Sequence, residues 1–104
     1  MQIQVNTDKN IEGREDLVAQ VEATVASSLS RFNGRITRVE IHLSDENGGK
    51  GGGEDKRCLM EARLEGRQPT AVSHQAATVE AAMDGAAAKL ARAIESTLGR
   101  LRSS

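Results

Sequence analysis

The sequence predicts an α+β fold in which a four-stranded mixed sheet carries both helices on one face. Three observations lead there. Four short segments alternate polar and apolar residues with period 2, two longer ones carry an apolar stripe at helical spacing, and they follow one another as β-α-β-β-β-α. With 104 residues the chain makes one domain, 1–104, around a single modest core.

The first strand is Gln-Ile-Gln-Val-Asn at 2–6, with Ile3 and Val5 turned inward and Gln2, Gln4 and Asn6 outward. After a polar connection from Thr7 to Glu12, a helix is expected from Arg14 to Phe32. Leu17, Val21, Val25 and Leu29 repeat every fourth residue, and Val18 and Phe32 widen the stripe. Gly13 can serve as its N-cap, Glu15 and Asp16 suit the positive end of the helix dipole, Arg31 suits the negative end, and Asn33-Gly34 stops it.

Period 2 returns from Ile36 to Ser44, where Val39, Ile41 and Leu43 oppose Arg38, Glu40, His42 and Ser44. A matching strand runs from Arg57 to Gly66, with Cys58, Met60, Ala62 and Leu64 on its apolar side. The Gly/Asn/Asp-rich segment between the two reads as the tip of a β-hairpin. Pro69 lies in the next turn, Gly66 to Thr70, and Ala71 to Gln75 forms a short fourth strand. Thr78 can cap a last helix reaching about Arg102, whose stripe is Val79, Met83, Ala86 or Ala87, Leu90, Ile94, Leu98 and Leu101. The crossover makes the first two strands parallel, and strands two to four form an antiparallel meander. Each strand has one apolar face, so both helices must cover the same side and the other side meets water.

Several chemistries are disfavoured by the same residues. A phosphate-binding loop needs paired glycines, then Lys and Ser/Thr, leading into a helix N-terminus. Here Gly49-Lys50-Gly51 leads into a strand and no Ser or Thr follows the lysine. His42 and Cys58 belong to opposite faces of the sheet and no metal-ligand spacing joins them, so no metal or cofactor is expected. Cys58 reads as a small core residue and His74 as a structural histidine near the last helix. Asp84 stands without a partner carboxylate, and no catalytic residue is assigned. The single cysteine, and the lack of any apolar run of membrane-spanning length or signal-peptide pattern, suggest a cytoplasmic protein with no membrane partner and no small-molecule substrate.

The formal net charge is −1, but residues 1–55 carry 6 Lys/Arg against 10 Asp/Glu while residues 56–104 carry 8 against 5. That polarity leaves room for one basic face. On the last helix Lys89, Arg92, Ser96 and Arg100 share a stripe, with Arg102 close behind, and Lys50, Lys56 and Arg57 flank the hairpin tip. Cations spaced along a smooth helix face can follow a phosphate backbone, and they can equally be the solvated side of an amphipathic helix. Only one aromatic residue is present, so base stacking has little to draw on.

The run Ala-Ala-Met-Asp-Gly-Ala-Ala-Ala-Lys-Leu-Ala-Arg-Ala-Ile at 81–94, with the hairpin at 44–58 and the element order, resembles the ribosome hibernation-promoting factor / ribosome-associated inhibitor family, also called the sigma-54 modulation family. In that family the last helix typically reads Ala-Ala-Ile-Asp, then Lys-Leu-x-Arg-Gln-Leu. Ala81, Ala82, Met83, Asp84, Lys89, Leu90 and Arg92 stand in those places here. The resemblance implies a fold like that of double-stranded-RNA-binding domains and a bacterial stress-response protein. Such a protein binds the small ribosomal subunit, 16S rRNA in the decoding channel, and inhibits translation by steric occlusion. It implies rRNA-facing roles for Lys89 and Arg92, by extension for Arg100 and Arg102, and from the hairpin for Lys50, Lys56 and Arg57. Compared with that family this chain is less basic and richer in alanine along the last helix, so fewer phosphate contacts and a shallower salt dependence are expected. The chain ends at Ser104, and the dimerisation domain of the family's long form is not expected to act here. The alternative is a protein–protein interaction module that uses the open sheet face: His42, Glu61, Arg63 and Glu65.

Overall fold

A computed structural model of the chain describes residues 1–8, 11, 14–46 and 55–103, with Arg14 and residues 100–103 described in backbone only. Its elements are β1 (Gln2–Thr7), α1 (Arg14–Ser28), β2 (Ile36–Asp45), β3 (Lys56–Leu64), β4 (Thr70–Ala76) and α2 (Val79–Ser103), with one 3₁₀ turn at Ser30–Phe32. The expected order is observed, and the sheet runs β1-β2-β3-β4 with β1 parallel to β2 and the other pairs antiparallel. Gly13 and the hairpin tip at 47–54 lie outside the described residues.

Register puts the apolar residues of each strand in line. Ile3 lies beside Val39 and Val5 beside Ile41; Ala62 faces Val39, Met60 faces Ile41 and Cys58 faces Leu43. That single face receives Leu17, Val21, Val25 and Leu29 from α1 and Met83, Leu90, Ile94 and Leu98 from α2, all buried in one core. Burying an aliphatic side chain of this size contributes about 1.5–3 kcal/mol, which is why one-sided strands dictate one-sided helices. Ala82, Ala86 and Ala87 are buried too, and their small side chains let α2 lie close over β3 and β4, while α1 packs over β1 and against α2.

Several element ends differ from expectation by one or more residues, and β2 carries an irregularity. The helix expected to reach Phe32 stops at Ser28. Leu29 N–H still bonds Val25 O at 2.9 Å, but Phe32 N–H then takes Leu29 O at 2.9 Å, an i to i−3 bond. That tighter turn stacks Leu29 and Phe32 on one side, so both stay buried. In β2 the register shifts between Ile36 and Arg38, so Ile36 and Val39, three apart, both face the core. The hairpin strands also run further toward the tip, to Asp45 and from Lys56, because a charged cluster closes their ends. The turn from β3 to β4 uses Gly66 in the left-handed region (φ 71°), as the Arg67 N–H reaches back to Leu64 O at 3.0 Å.

Candidate nucleic-acid interface

Helix α2 begins at Thr78, whose Oγ1 accepts the Ala81 N–H at 3.1 Å as an N-cap. From there the 3.6-residue repeat brings Gly85, Lys89, Arg92 and Ser96 to one side of the helix, beside the outer edge of β4. The approach there is close. His74, on the core side of β4, lies flat against Gly85, where a methyl group would come within 3.0 Å of its Cδ2, Nε2 and Cγ. One turn on, the Lys89 ammonium donates to Ser73 O at 3.0 Å and so ties the helix to that edge. Arg92 is exposed and makes no ion pair among the described residues. Glu95, a further three residues on, pairs with Arg31 at 3.1 Å, and the Arg31 guanidinium also lies 4.6 Å from the Phe32 ring centroid.

The cations near the hairpin divide. Lys56 has the same parity as Cys58 and so turns to the helix side of the sheet. There its Nζ lies 2.9 Å from Asp55 Oδ1 and 3.4 Å from Asp45 Oδ2, between two buried carboxylates. The hydrogen bond to Asp55 and the charge of Asp45 hold the lysine pKa above its ordinary value, against the opposing effect of partial burial. Asp8 Oδ2 accepts the Asp45 N–H at 3.2 Å and Asp55 O accepts the Glu46 N–H at 2.9 Å. Lys56 is thus the clasp of the hairpin base, and its charge is already matched. Arg57, one residue on, is exposed on the open face opposite Ser44 and Gln75 across the sheet. Lys50 lies outside the described residues. Arg100 and Arg102 are placed in the last turns of α2 by its backbone.

Two features are not visible in the sequence pattern. A polar cleft of about 680 Å³ opens between the β3–β4 turn and α2, lined by Gly66, Arg67, Gln68, Pro69, Thr70 and Thr97. The turn signature Gly66 to Thr70 locates the loop, but its packing beside Thr97 depends on where α2 crosses the sheet. On the open face, register sets Arg38 opposite Arg63 and Glu40 opposite Glu61. Like charges face each other across strands, and they are offset along the strand by an Arg38–Glu40 ion pair of 2.5 Å. Among the described residues no three of His, Cys, Asp and Glu gather where they could hold a metal ion. None of the described helices is long and apolar enough to cross a membrane. The exposed guanidinium groups divide between the two layers, Arg57 and Arg63 on the open face of the sheet and Arg92 on α2.

The fold has known counterparts. The chain is similar to the N-terminal domain of Protein Y from Thermus thermophilus, with a TM-score of 0.74 at 23% identity over 93% of this chain and 99% of that one. It is also similar to a ribosomal subunit interface protein from Coxiella burnetii, with a TM-score of 0.64 at 14% identity over the full length of both. No curated protein sequence matches it. Residues 3–102 match the model of the family described as sigma 54 modulation protein / S30EA ribosomal protein. The chain belongs to the sigma-54 modulation / S30EA ribosomal protein family.

Proposed function

We propose that this protein is a ribosome-associated hibernation factor. It binds the small ribosomal subunit through 16S rRNA in the decoding channel and inhibits translation by occupying space that mRNA and tRNA need. The observation that carries this reading is the family match over residues 3–102, on a chain whose α2 presents Arg92 to solvent next to Lys89. One structural relative is a ribosomal subunit interface protein, in agreement with it. Occlusion needs no catalytic group, only a domain held by phosphate contacts, and such contacts position a protein without reading sequence. Cytoplasmic location follows from the same reading.

The contacts assigned to rRNA are those of Arg92 and Lys89, continued by Arg100 and Arg102, with Arg57 and Lys50 from the hairpin. Lys56 ranks below them because Asp45 and Asp55 already neutralise it. Co-sedimentation with purified small subunits and intact ribosomes at two salt concentrations tests the proposal. Stoichiometric co-migration that weakens with salt and collapses in Lys89→Glu/Arg92→Glu is the expected result. No co-migration at low salt, or binding indifferent to both substitutions, refutes it. Binding abolished instead by Arg63→Glu would move the interface to the open sheet face.

A further inference from the structure

The two edges of the sheet are not equally protected. At β4 the Ser73 carbonyl is taken by the Lys89 ammonium, and α2 packs over the strand. At β1 three of the usual protections against strand pairing are missing from the strand itself: Gln2–Thr7 holds no charge and no proline, and its pairing with β2 runs without a register shift. The direction of its free backbone groups follows from one bond. Asp8 N–H bonds Leu43 O, so even-numbered residues of this parallel ladder turn toward β2 and Ile3, Val5 and Thr7 turn their N–H and C=O outward. A depression of about 310 Å³ lined by Gln2, Ile3, Gln4 and Arg38 lies along this edge.

The sequence of β1 says what would fit. Gln2-Ile3-Gln4-Val5-Asn6 is chemically palindromic about Gln4, with an amide at each end and a β-branched residue on each side. We propose that β1 pairs antiparallel with β1 of a second copy of this chain about a two-fold axis at Gln4, joining two four-stranded sheets into one of eight strands. In that register Ile3 faces the partner copy's Val5, both turning outward-pointing backbone groups to each other. Gln2 faces Asn6, and Gln4 faces its own counterpart at a position without ladder bonds. Four backbone hydrogen bonds form, apolar side chains meet on the helix side, and amides meet on the open side. The Arg38 guanidinium donates to Gln4 Oε1, which fixes that amide beside the axis. An isologous contact of this kind needs a self-complementary strand; β1 carries no charge of its own, and the Arg38 beside it is paired with Glu40.

The interface is small, so the test is sedimentation equilibrium of the full chain from about 10 μM to 1 mM, a range that covers weak association. Expected is a concentration-dependent rise from 11.1 kDa toward twice that mass. Gln4→Lys places two ammonium groups face to face and should shift the midpoint at least about tenfold upward. An equimolar mixture of Gln4→Lys and Gln4→Glu should dimerise again. Gln4→Cys should form a disulfide-linked dimer on mild oxidation, since Cα atoms of such a pair lie about 4.5 Å apart, within disulfide reach. The native Cys58 is buried and does not compete. A chain that stays monomeric across the range overturns the proposal. So does a dimer that Gln4→Lys leaves intact and Gln4→Cys does not cross-link.

Discussion

Replacing Gly85 with alanine tests the packing of α2 on β4 because two effects of known size oppose each other. In an open helix interior the change stabilises by about 0.8–1.0 kcal/mol through backbone entropy. At Gly85 the new methyl group would lie within 3.0 Å of three His74 ring atoms, so the ring must leave its place or the helix must lift. Overfilling a packed site costs about 1–3 kcal/mol. Gly85→Ala should therefore destabilise by roughly 1 kcal/mol net, which lowers Tm by roughly 4–8 °C in a domain of this size.

The same substitution made in a His74→Ala background meets no ring and should stabilise by up to about 1 kcal/mol, a reversal of sign and a coupling of roughly 2 kcal/mol. Gly99→Ala is the internal control, since a methyl group there meets nothing within 4 Å, and it should stabilise the wild-type background. Urea unfolding followed by far-ultraviolet circular dichroism is the assay, because the chain has no Trp or Tyr to report by fluorescence. If Gly85→Ala raises stability equally with and without His74, the ring does not lie against the helix and the reasoning fails.

Other substitutions have simpler expectations. Thr78→Ala removes the cap on the Ala81 N–H and should cost about 1 kcal/mol in the same urea assay. Cys58 should stay unreactive to thiol reagents at neutral pH until the chain unfolds, since burial pushes its thiol from 9.0 up to about 12. Because the unfolded thiol ionises first, stability should fall as pH rises across that window, and Cys58→Ala should remove this part of the loss. Lys56 adds a later alkaline loss: its raised pKa means the unfolded chain gives up the proton first above 10.5, and Lys56→Met should abolish that dependence while lowering Tm at neutral pH. In ribosome binding, Arg92→Gln and Lys89→Gln should each reduce the slope of log affinity against log salt by about 0.7–0.9 per phosphate they no longer neutralise, on nucleic-acid reference values.

The periodic elements are legible in the sequence because their causes are local. Val39, Ile41 and Leu43 against Cys58, Met60 and Ala62 state both the face and the pairing of a hairpin, and the four-residue repeat of α1 states its buried side. Lys56 is not the free cation that its place beside the hairpin tip suggests, and parity exposes the reason. It alternates with Cys58 and Met60, so it belongs to the helix side of the sheet, and Asp45 continues the apolar positions of β2 in the same way. The bond from Lys89 to Ser73 O and the cleft beside Thr97 depend on the depth and angle at which α2 crosses β4. Those are set by Ala82, Ala86 and Gly85 together, and no single window of sequence contains them.

Charge bears on the proposed function through its placement more than its sum. Arg31 is matched by Glu95, Arg38 by Glu40, and Lys56 by Asp45 and Asp55, so these charges largely cancel within the domain. Exposed cations that make no ion pair among the described residues are Arg35, Arg57, Arg63, Arg67, Lys89 and Arg92, with Arg57 and Arg63 on the open sheet face and Lys89 and Arg92 on α2. Glu15, Asp16 and Glu22 are exposed on α1. A helix is about 10 Å across, so the outer side of α1 is separated from the open face of the sheet by more than the Debye length of about 8 Å at physiological salt. Arg57 and Arg63 on the open face are thus largely screened from the α1 carboxylates, whereas Arg92 shares the helix layer with α1 and has Glu80 and Asp84 exposed on its own helix. A net charge of −1 lowers nonspecific attraction to nucleic acid, so under the proposed function binding must rest on these local cations.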